Sequence, residues 1–367
     1  MVVALTGAGV LALVISTVVT PLVIRASHRR QWFDMPNERK IHTSPVPRLG
    51  GIGMFLAFVL SALAVPILLP VAAPGPWPVH YDFRFVPVFA AFAMVHGLGL
   101  LDDFHNLNPL LKLILQIVAA ALVTLGGFTV SVVNIPSVGP VSLGIFSWPI
   151  TIFLIIAISN AINLVDGLVG LAGGISGIAA LALGISAYLQ LAAAPALMAF
   201  ALLGAILGFL LFNYPPARIF MGDSGALFLG FTLAVIPLLK GPGSTSLGEL
   251  LAPATVLAVP ILDVVAAIVR RVREKRPIYS PDKEHIHHKL LGLGLKDTKI
   301  LSVIYGFCAY VAVASVVAIF LPRVQALILF GFVWATSILA YVVLTNLTQK
   351  RRLMREAGEA RLRGRPT

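Results

Sequence analysis

Two adjacent carboxylates, Asp102 and Asp103, end a long apolar run in the sequence. A carboxylate at the edge of a membrane is costly unless a cation, a hydrogen-bond donor or water meets it. No Lys or Arg adjoins the pair, so we expect a positive partner, and a divalent metal is the natural one. Oxygen ligands suit Mg²⁺, which completes its shell with water and substrate phosphates. The alternative is a solvated acid pair in a cytoplasmic turn.

Three more oxygen-bearing side chains follow the fifth apolar run. Asn160 and Asn163 are three residues apart and share a helix face, and Asp166 continues that side where Gly167 breaks the helix. No charged residue beside Asp166 neutralises it. This pattern favours a metal or phosphate rim, although Asn and Gly could also simply cap one helix.

The segment 213–225 adds Asn213, Phe220 and Asp223. Asp223 would be the fourth acid on the same side of the membrane, and Phe220 is placed to stack on a flat ring. Both residues have a structural alternative, because Asp223 could be an ordinary N-cap for the eighth helix and aromatic residues are common at membrane interfaces.

Basic residues cluster in the first inner loop, 36–51, where Lys40, His42 and Arg48 precede Gly50 and Gly51. Such a cluster attracts a polyanion, and a glycine pair before a helix lets a phosphate approach backbone N–H groups. A positive anchor with a Pro-rich bend explains the charge equally well.

Three histidines, His285, His287 and His288, lie within four residues of the largest inner loop. No Cys or acidic partner stands at zinc spacing, so donation to phosphate oxygens beside the flanking lysines is the favoured role. Asp263 lies inside the ninth apolar run. A buried acid there indicates a role, which a hydrogen bond between helices would also satisfy.

The elements that must position these residues are membrane helices. The 367-residue chain is 58% hydrophobic and 11% charged, with a mean hydropathy of +0.96, which excludes a soluble domain. We predict an all-α, polytopic helical bundle with about 11 transmembrane helices. The apolar runs are 2–24, 51–70, 85–101, 110–128, 146–162, 167–189, 195–213, 224–239, 249–269, 300–321 and 326–346.

The distribution of charge predicts the topology. The first run lacks the features of a removable signal, so the N-terminus is expected outside and the C-terminus in the cytoplasm. With that orientation the cytoplasmic segments hold 24 of the 27 Lys and Arg residues. The positive-inside rule therefore explains the net charge of +12 without nucleic acid, and anionic lipid could add to the attraction. The single Cys308 excludes a disulfide framework.

The predicted organisation is one catalytic domain, 1–346, followed by a basic cytoplasmic tail, 347–367. The site loops are 25–50, 102–112, 160–167, 213–223 and 270–299. On the outer side, residues 129–145 alternate enough to form a small hairpin, and residues 241–244 form a plain turn. No internal repeat is visible.

Together the motifs resemble those of the polyprenyl-phosphate N-acetylhexosamine-1-phosphate transferases of glycosyltransferase family 4, specifically the undecaprenyl-phosphate GlcNAc-1-phosphate transferase type. The matching stretches are residues 36–51, the acid pair with Leu107, Pro109, Lys112 and Gln116, and residues 160–167, 220–225 and 285–290. The order of five motifs is more specific than any one of them. The His-Ile-His-His motif favours this branch over the phospho-MurNAc-pentapeptide translocases, which typically carry three consecutive histidines.

The resemblance implies transfer of a sugar-1-phosphate, first of all GlcNAc-1-phosphate, from a UDP-N-acetylhexosamine to undecaprenyl phosphate, with release of UMP. Such enzymes begin lipid-linked cell-envelope polymers such as O-antigen and teichoic acid at the cytoplasmic face of the bacterial inner membrane. The implied cofactor is Mg²⁺, or Mn²⁺. No nucleic acid partner is expected, and a homodimer stays open.

The resemblance also assigns roles to the candidate residues. The metal would be held by Asp223, with Asp102 and Asp103 near the metal and the acceptor phosphate. Asn160, Asn163 and Asp166 would line the donor site, and Phe220 would stack on uracil. The remaining assignments are catalytic contacts to the diphosphate from His287 and His288, and substrate contacts from His285, Asn213, Arg48, Lys40 and His42.

One position departs from the family pattern, because Val169 stands where a second acid of the Asp-Gly motif is common. This puts the identity or affinity of the donor in doubt and also raises an inactive relative as an alternative. The alternative from another class is an ion-coupled secondary transporter, whose sites typically lie near the midplane within inverted repeats. Direct attack by the acceptor phosphate is favoured over a covalent phospho-Asp intermediate.

Overall fold

The computed structural model describes residues 1–34, 46–72, 79–135, 138–240, 244–277 and 284–363, so Lys40 and His42 lie outside the described residues. The described chain is mainly helical. Its helices are α1 Val2–Arg30, α2 Gly50–Ala72, α3 Phe85–His105, α4 Pro109–Leu125, α5 Ser147–Val165, α6 Leu171–Leu189, α7 Ala193–Asn213, α8 Gly222–Val235, α9 Leu247–Val256, α10 Ala258–Arg273, α11 Ile286–Gly292, α12 Asp297–Val317 and α13 Arg323–Arg363.

In the described part of the chain, five short strands lie in the connections between helices. Strands β1 (Phe33–Asp34) and β2 (Val46–Pro47) pair antiparallel. Strands β3 (Val132–Ile135) and β4 (Gly139–Ser142) form the predicted hairpin, which is thereby confirmed. Strand β5 (Ser244–Ser246) adds to β3 in parallel, so Ser244 begins a strand where we expected a plain turn.

Within the described residues, nine helices are long and apolar enough to cross a membrane. This confirms an all-α polytopic membrane protein, whereas the count of 11 spans and the orientation of the termini stay predictions. Helix α4 is shorter, with 17 residues. The ninth apolar run is divided at Leu257 into α9 and α10, in a stretch that contains Pro253 and Pro260, which cannot donate a backbone hydrogen bond.

Helix α3 continues past its apolar run to His105 and α4 begins at Pro109, so most of the predicted site segment 102–112 is helical. Only residues 106–108 connect α3 to α4. Asn106 has a left-handed conformation that ends α3, and the Asn108 side chain accepts a hydrogen bond from Leu110 N at 2.8 Å to cap α4. Both acids of the pair are therefore helical, on the last turn of α3.

Small residues allow the close packing of α1 on α7. Ala8, Ala12 and Ser16 recur every four residues on the buried face of α1, and the Ser16 hydroxyl donates to the Ala205 carbonyl at 2.7 Å. The opposite face carries Val10 and Val14, which are exposed. This inverted pattern, small and polar inside with branched apolar outside, is typical of helices in lipid.

Helix α8 lies at the centre of the bundle, packed against α2, α3 and α5. Every residue of α8 except Asp223 is buried. Its N-terminus meets the last turn of α3. At the other end of the chain, α13 continues without a break through residues 347–363, so the tail boundary predicted at 346 does not coincide with the end of a helix.

Candidate functional site

Asp103 caps the buried N-terminus of α8 from a different helix. Its Oδ1 accepts a hydrogen bond from Asp223 N at 2.7 Å and its Oδ2 accepts one from Ser224 N at 3.1 Å. The first N–H groups of a helix have no partner within the helix, so a buried end requires such acceptors. Gly222 permits this approach, since its φ is +73° and a Cβ there would lie 2.6 Å from the Asp103 carboxylate.

Two cations neutralise the acids around this helix end. Arg48 contacts Asp223 Oδ1 at 3.1 Å and Asp103 Oδ1 at 3.4 Å. Lys112 lies 3.3 Å from Asp223 Oδ2 and also forms an ion pair with Asp102. The acid pair therefore has positive partners, as expected, and one of them is Lys112, which the short turn between α3 and α4 returns to Asp102.

A cavity of 540 Å³ opens beside Asp223. Its size is typical of small-molecule sites. Its lining residues are Arg48, Asn163, Asp166, Gly167, Leu168, Val169, Asn213, Pro215, Pro216, Ala217, Phe220, Met221, Gly222, Asp223, His288 and Asp297. Asp166, Asp223 and Arg48 supply charged groups to the cavity wall, and Phe220 supplies a flat apolar face. The cavity could therefore hold a ligand with an anionic group and a flat ring.

Asp166 follows the last residue of α5 and lines the cavity. Among the described residues, no hydrogen bond or ion pair reaches its carboxylate. Burial raises its pKa well above the ordinary value, and the negative charges of Asp223 and Asp103 raise it further. The carboxylate is thus placed where an added cation or a hydrogen-bond donor would stabilise its charged form.

The charges of the site favour a divalent cation. Among the described residues, two contacting cations, Arg48 and Lys112, accompany the four carboxylates of Asp102, Asp103, Asp166 and Asp223, so carboxyl groups outnumber cations here. Oxygen donors of this kind fit Mg²⁺. As they stand, no three His, Cys, Asp or Glu side chains of the described chain converge as a metal site. Asp102 and Asp223 instead share the ammonium group of Lys112. A metal ion would compete with this ammonium group for the two carboxylates.

One of the three histidines, His288, reaches the cavity wall, and His287 packs behind it against Gly167. His288 lines the cavity, and its ring centroid lies 4.2 Å from that of His287. His287 is 1% exposed and faces Gly167, and no described residue forms a hydrogen bond to either of its ring nitrogens. Burial, with a further contribution from His288, lowers the pKa of His287 to about 4. His287 is therefore neutral at pH 7 and can donate one N–H.

The three asparagines predicted for the site do not all line the cavity. Asn163 lines the cavity. Asn160 lies away from it, where its side-chain amide donates to Gln116 Oε1 at 2.6 Å. Asn213 lines the cavity and also joins two loops, because it accepts from Gly170 N at 3.0 Å and donates to the Ile219 carbonyl at 2.8 Å.

The glycine pair that precedes α2 does not offer its N–H groups to a phosphate. Gly50 N donates to the Phe220 carbonyl and Gly51 N to the Met221 carbonyl, both at 2.9 Å. That part of the prediction is wrong. These positions lack side chains because α2 begins in close contact with the turn before α8, where a Cβ on Gly50 would lie 2.7 Å from the Phe220 oxygen.

Sequence reasoning missed three residues at the site. Lys112 was noted only as part of a motif, although its position ten residues after Asp102, across a short helical turn, could have indicated the ion pair. Asp297 lines the cavity from the first turn of α12. Gly167 was read as a helix breaker, and nothing in the sequence indicates that its missing side chain makes room for His287.

Comparisons with known proteins give a consistent picture. The sequence model of glycosyl transferase family 4 matches residues 85–240. A Bacillus subtilis (strain 168) protein named probable undecaprenyl-phosphate N-acetylglucosaminyl 1-phosphate transferase is 34% identical over 300 residues, which cover 81% of this chain and 80% of that protein. A decaprenyl-phosphate N-acetylglucosaminephosphotransferase of Mycobacterium leprae (strain TN) is 36% identical over 359 residues, which cover 92% and 89% respectively.

A more distant relative has a related name. The undecaprenyl-phosphate alpha-N-acetylglucosaminyl 1-phosphate transferase of Escherichia coli (strain K12) is 28% identical over 306 residues, which cover 81% of this chain and 80% of that protein. The relatives therefore match nearly the whole chain, beyond the limits of the family match.

Proposed function

Because this chain belongs to glycosyl transferase family 4, we propose that it transfers N-acetylglucosamine-1-phosphate from UDP-N-acetylglucosamine to undecaprenyl phosphate. The products are a lipid-linked sugar pyrophosphate and UMP. The names of three relatives support the sugar phosphate and a polyprenyl-phosphate acceptor. The single observation that carries the proposal is the cavity that joins Asp166, Asp223, Arg48 and His288 at one end of a membrane helix bundle.

The chemistry requires little more than charge control. An oxygen of the acceptor phosphate attacks the phosphorus that carries the sugar, a new P–O bond forms, and the bond to the bridging oxygen breaks so that its electron pair leaves with UMP. The acceptor is already an oxyanion, so a strong base is dispensable. The difficulty is to bring two polyanions together.

The residues of this chain can meet that difficulty. Arg48 carries a fixed positive charge at the cavity wall, and Lys112 offers another beside Asp102 and Asp223. His288 and the neutral His287 can donate N–H groups to phosphate oxygens. Phe220 is available to stack on the uracil ring. Asp103 is best assigned a structural role, since both of its oxygens bind the start of α8.

The proposed cofactor is Mg²⁺, with Mn²⁺ as the substitute. Asp223 and Asp102 would hold it, and Asp166 is near enough to influence it electrostatically. A bound divalent ion would neutralise diphosphate oxygens and stabilise the charge that develops on the leaving UMP. The larger number of carboxyl groups than of cations among the described site residues supports this assignment.

The chain is a multi-pass membrane protein. We place it in the bacterial inner membrane with the site on the cytoplasmic face, on two grounds. Its relatives are bacterial, and 24 of its 27 Lys and Arg residues lie in the segments assigned to the cytoplasm. UDP-sugars are cytoplasmic metabolites, which agrees with this side.

The test is release of UMP from UDP-N-acetylglucosamine by the purified protein with undecaprenyl phosphate in bilayers. We expect turnover that needs a divalent cation and stops with EDTA. Asp223→Ala should lower kcat by about 10²-fold or more, because it removes the acid that both Arg48 and Lys112 contact.

The matched control is Asp82→Asn, at an exposed acid that precedes α3, whereas the site acids lie on its last turn. It should keep wild-type activity. Normal turnover by Asp223→Ala, or turnover in EDTA, contradicts the proposal. A panel of UDP-N-acetylhexosamines in the same assay identifies the donor, for which Val169 is the residue that departs from the family pattern.

A further inference from the structure

Asp263 on α10 is a buried acid that the proposed chemistry does not use. Its side chain has 0% exposure, and a buried carboxylate is costly unless hydrogen bonds compensate it. Oδ2 accepts a hydrogen bond from His285 Nδ1 at 2.9 Å, and Oδ1 accepts one from Ile286 N at 2.9 Å. The Tyr341 hydroxyl is a third donor, at 3.4 Å. The two short bonds both hold the start of α11.

Helix α11 depends on Asp263 for its cap. His285 occupies the N-cap position of α11 but makes no side-chain capping bond. Asp263 supplies the missing acceptor from a helix that lies more than 20 residues earlier in the chain. Because an ionised carboxylate only accepts hydrogen bonds, His285 Nδ1 must carry the proton, and this fixes the tautomer of the neutral ring.

The three histidine rings form a series that leads from Asp263 to the cavity. The ring of His285 is nearly parallel to that of His287, with an interplanar angle of 6° and centroids 6.1 Å apart. His287 lies against His288, which lines the cavity. Any shift at the start of α11 should therefore move His287 and, with it, His288 at the wall of the proposed diphosphate site.

The other end of α11 is held independently. Lys289 Nζ donates to Thr345 Oγ1 at 2.7 Å and lies 4.1 Å from the centre of the Tyr341 ring. This second attachment joins α11 to α13. A change at Asp263 should therefore leave α11 attached to the bundle and alter mainly the orientation of its first turn.

We propose that Asp263 is a positioning residue for phosphoryl transfer: through His285 Nδ1 and the N–H of Ile286, it orients α11 so that His287 and His288 face the donor diphosphate. This inference rests on the proposed function. Its effect is expected on the rate of the chemical step and not on donor affinity, because Phe220, Asn163 and Asp166 are held by other helices and loops.

The experiment compares Asp263→Asn with two variants of its partner. The asparagine side chain in Asp263→Asn keeps the size of the original but cannot accept from both His285 and Ile286, so kcat should fall on the order of 10–100-fold with an unchanged KM for the UDP-sugar. His285→Asn retains an N–H near the position of Nδ1 and should keep most of the activity, whereas His285→Leu should lose it.

The control is Tyr341→Phe, which deletes the longest of the three hydrogen bonds and keeps the ring beneath Lys289. It should behave like the wild type. An unchanged kcat in Asp263→Asn, or equal losses in His285→Asn and His285→Leu, overturns the proposal. If Asp263→Asn lowers only the melting temperature and leaves kcat normal, the proposal is also overturned, because the role of Asp263 would then be purely structural.

A readout without turnover separates this proposal from the proposed function. In ¹⁵N-histidine NMR of the detergent-solubilised protein, the signal that disappears in His285→Asn should have the Nδ1–H tautomer, and Asp263→Asn should change it. If the wild-type protein releases no UMP, the proposed function fails. If this signal shows the other tautomer, or does not change in Asp263→Asn, the positioning role is contradicted even when the wild-type protein is active.

Discussion

His287 presents an uncharged imidazole to a site that is rich in carboxylates. Desolvation disfavours the imidazolium form, and the pKa of about 4 means that the ring gives up its proton before neutral pH is reached. Its two nitrogens have no hydrogen-bond partner in the described part of the chain, which is rare for buried polar atoms. A ligand oxygen in the cavity would therefore relieve an existing energetic cost.

The missing side chain of Gly167 leaves the space that the His287 ring occupies, so a substitution at Gly167 tests the position of this ring. In Gly167→Ala the new Cβ would lie 2.7 Å from both Cε1 and Nε2 of His287, closer than such atoms approach. The imidazole must shift, so we expect kcat to fall about 10-fold or more if the ring donates its N–H to the substrate during turnover. UMP release measures the effect.

The control for this variant is Gly97→Ala in α3, where an added Cβ meets nothing within 4 Å. It should preserve activity and could raise the melting temperature, because Ala is favoured over Gly inside a helix. Wild-type activity in Gly167→Ala would mean that the position of His287 does not matter to turnover.

Helix geometry explains why adjacent acids have different partners. Successive residues of an α-helix point about 100° apart, so side chains that are neighbours in the sequence face different elements. Asp102 faces α4 and pairs with Lys112, whereas Asp103 faces the N-terminus of α8. The sequence motif thus combines one acid that pairs with Lys112 and binds the turn after α3 with one acid that caps α8.

Removal of the helix cap gives a prediction at the scale of elements. Asp103→Ala leaves the buried N–H groups of Asp223 and Ser224 without acceptors, which should cost about 2–5 kcal/mol of stability. The melting temperature in detergent should fall, and it should fall equally with and without Mg²⁺.

Asp102→Ala is the comparison, because it removes the carboxylate of the same helix turn that pairs with Lys112 but leaves the α8 cap intact. Its main effect should be on activity. If Asp103→Ala melts like the wild type, the cap does not stabilise the fold, and the carboxylate would have to act on the substrate or metal instead.

The bundle as a whole collects negative charge at one point. Helices α3, α8 and the loop after α5 each contribute carboxylates to the same end, and α4 and the segment before α2 contribute the two cations. We expect a divalent cation to stabilise this arrangement. Neutralisation of Asp166, whose carboxylate has no partner among the described residues, should therefore raise stability and lower activity.

Asp166→Asn tests this at the scale of the molecule. The pKa of Asp166 is raised above 3.8 in the folded state, so the stability that its protonated form contributes is present at low pH and is lost as pH rises through the folded-state pKa. Asn mimics the neutral form and avoids that loss. In EDTA the variant should have a higher melting temperature than the wild type, and this difference should grow with pH. Each kcal/mol of added stability should raise the melting temperature by about 2–4 °C.

Addition of Mg²⁺ should narrow the margin, since the cation stabilises the wild-type carboxylates, and the variant should turn over more slowly. The measurement is a melting series in detergent across pH with EDTA or Mg²⁺. A variant that melts below the wild type at every pH would show that Asp166 has a stabilising partner and would remove the argument from excess charge.

The sequence by itself determined the membrane class and indicated several of the side chains around the cavity. Hydropathy is read directly from composition, because about 20 apolar residues suffice to span a bilayer as a helix. The motifs around Asp102, Asp166, Asp223 and His288 identified side chains that do lie around one cavity or its rim. These predictions needed only residue types and their order along the chain.

Tertiary structure alone decided which of these side chains meet. Side-chain contacts between helices depend on rotation about each helix axis, which a local sequence pattern does not specify. Asp103 therefore became a cap for α8, Asn160 turned to Gln116, and Lys112 became the partner of Asp102. Burial likewise set the charge state of His287, because desolvation is a property of the packed bundle and not of the histidine motif.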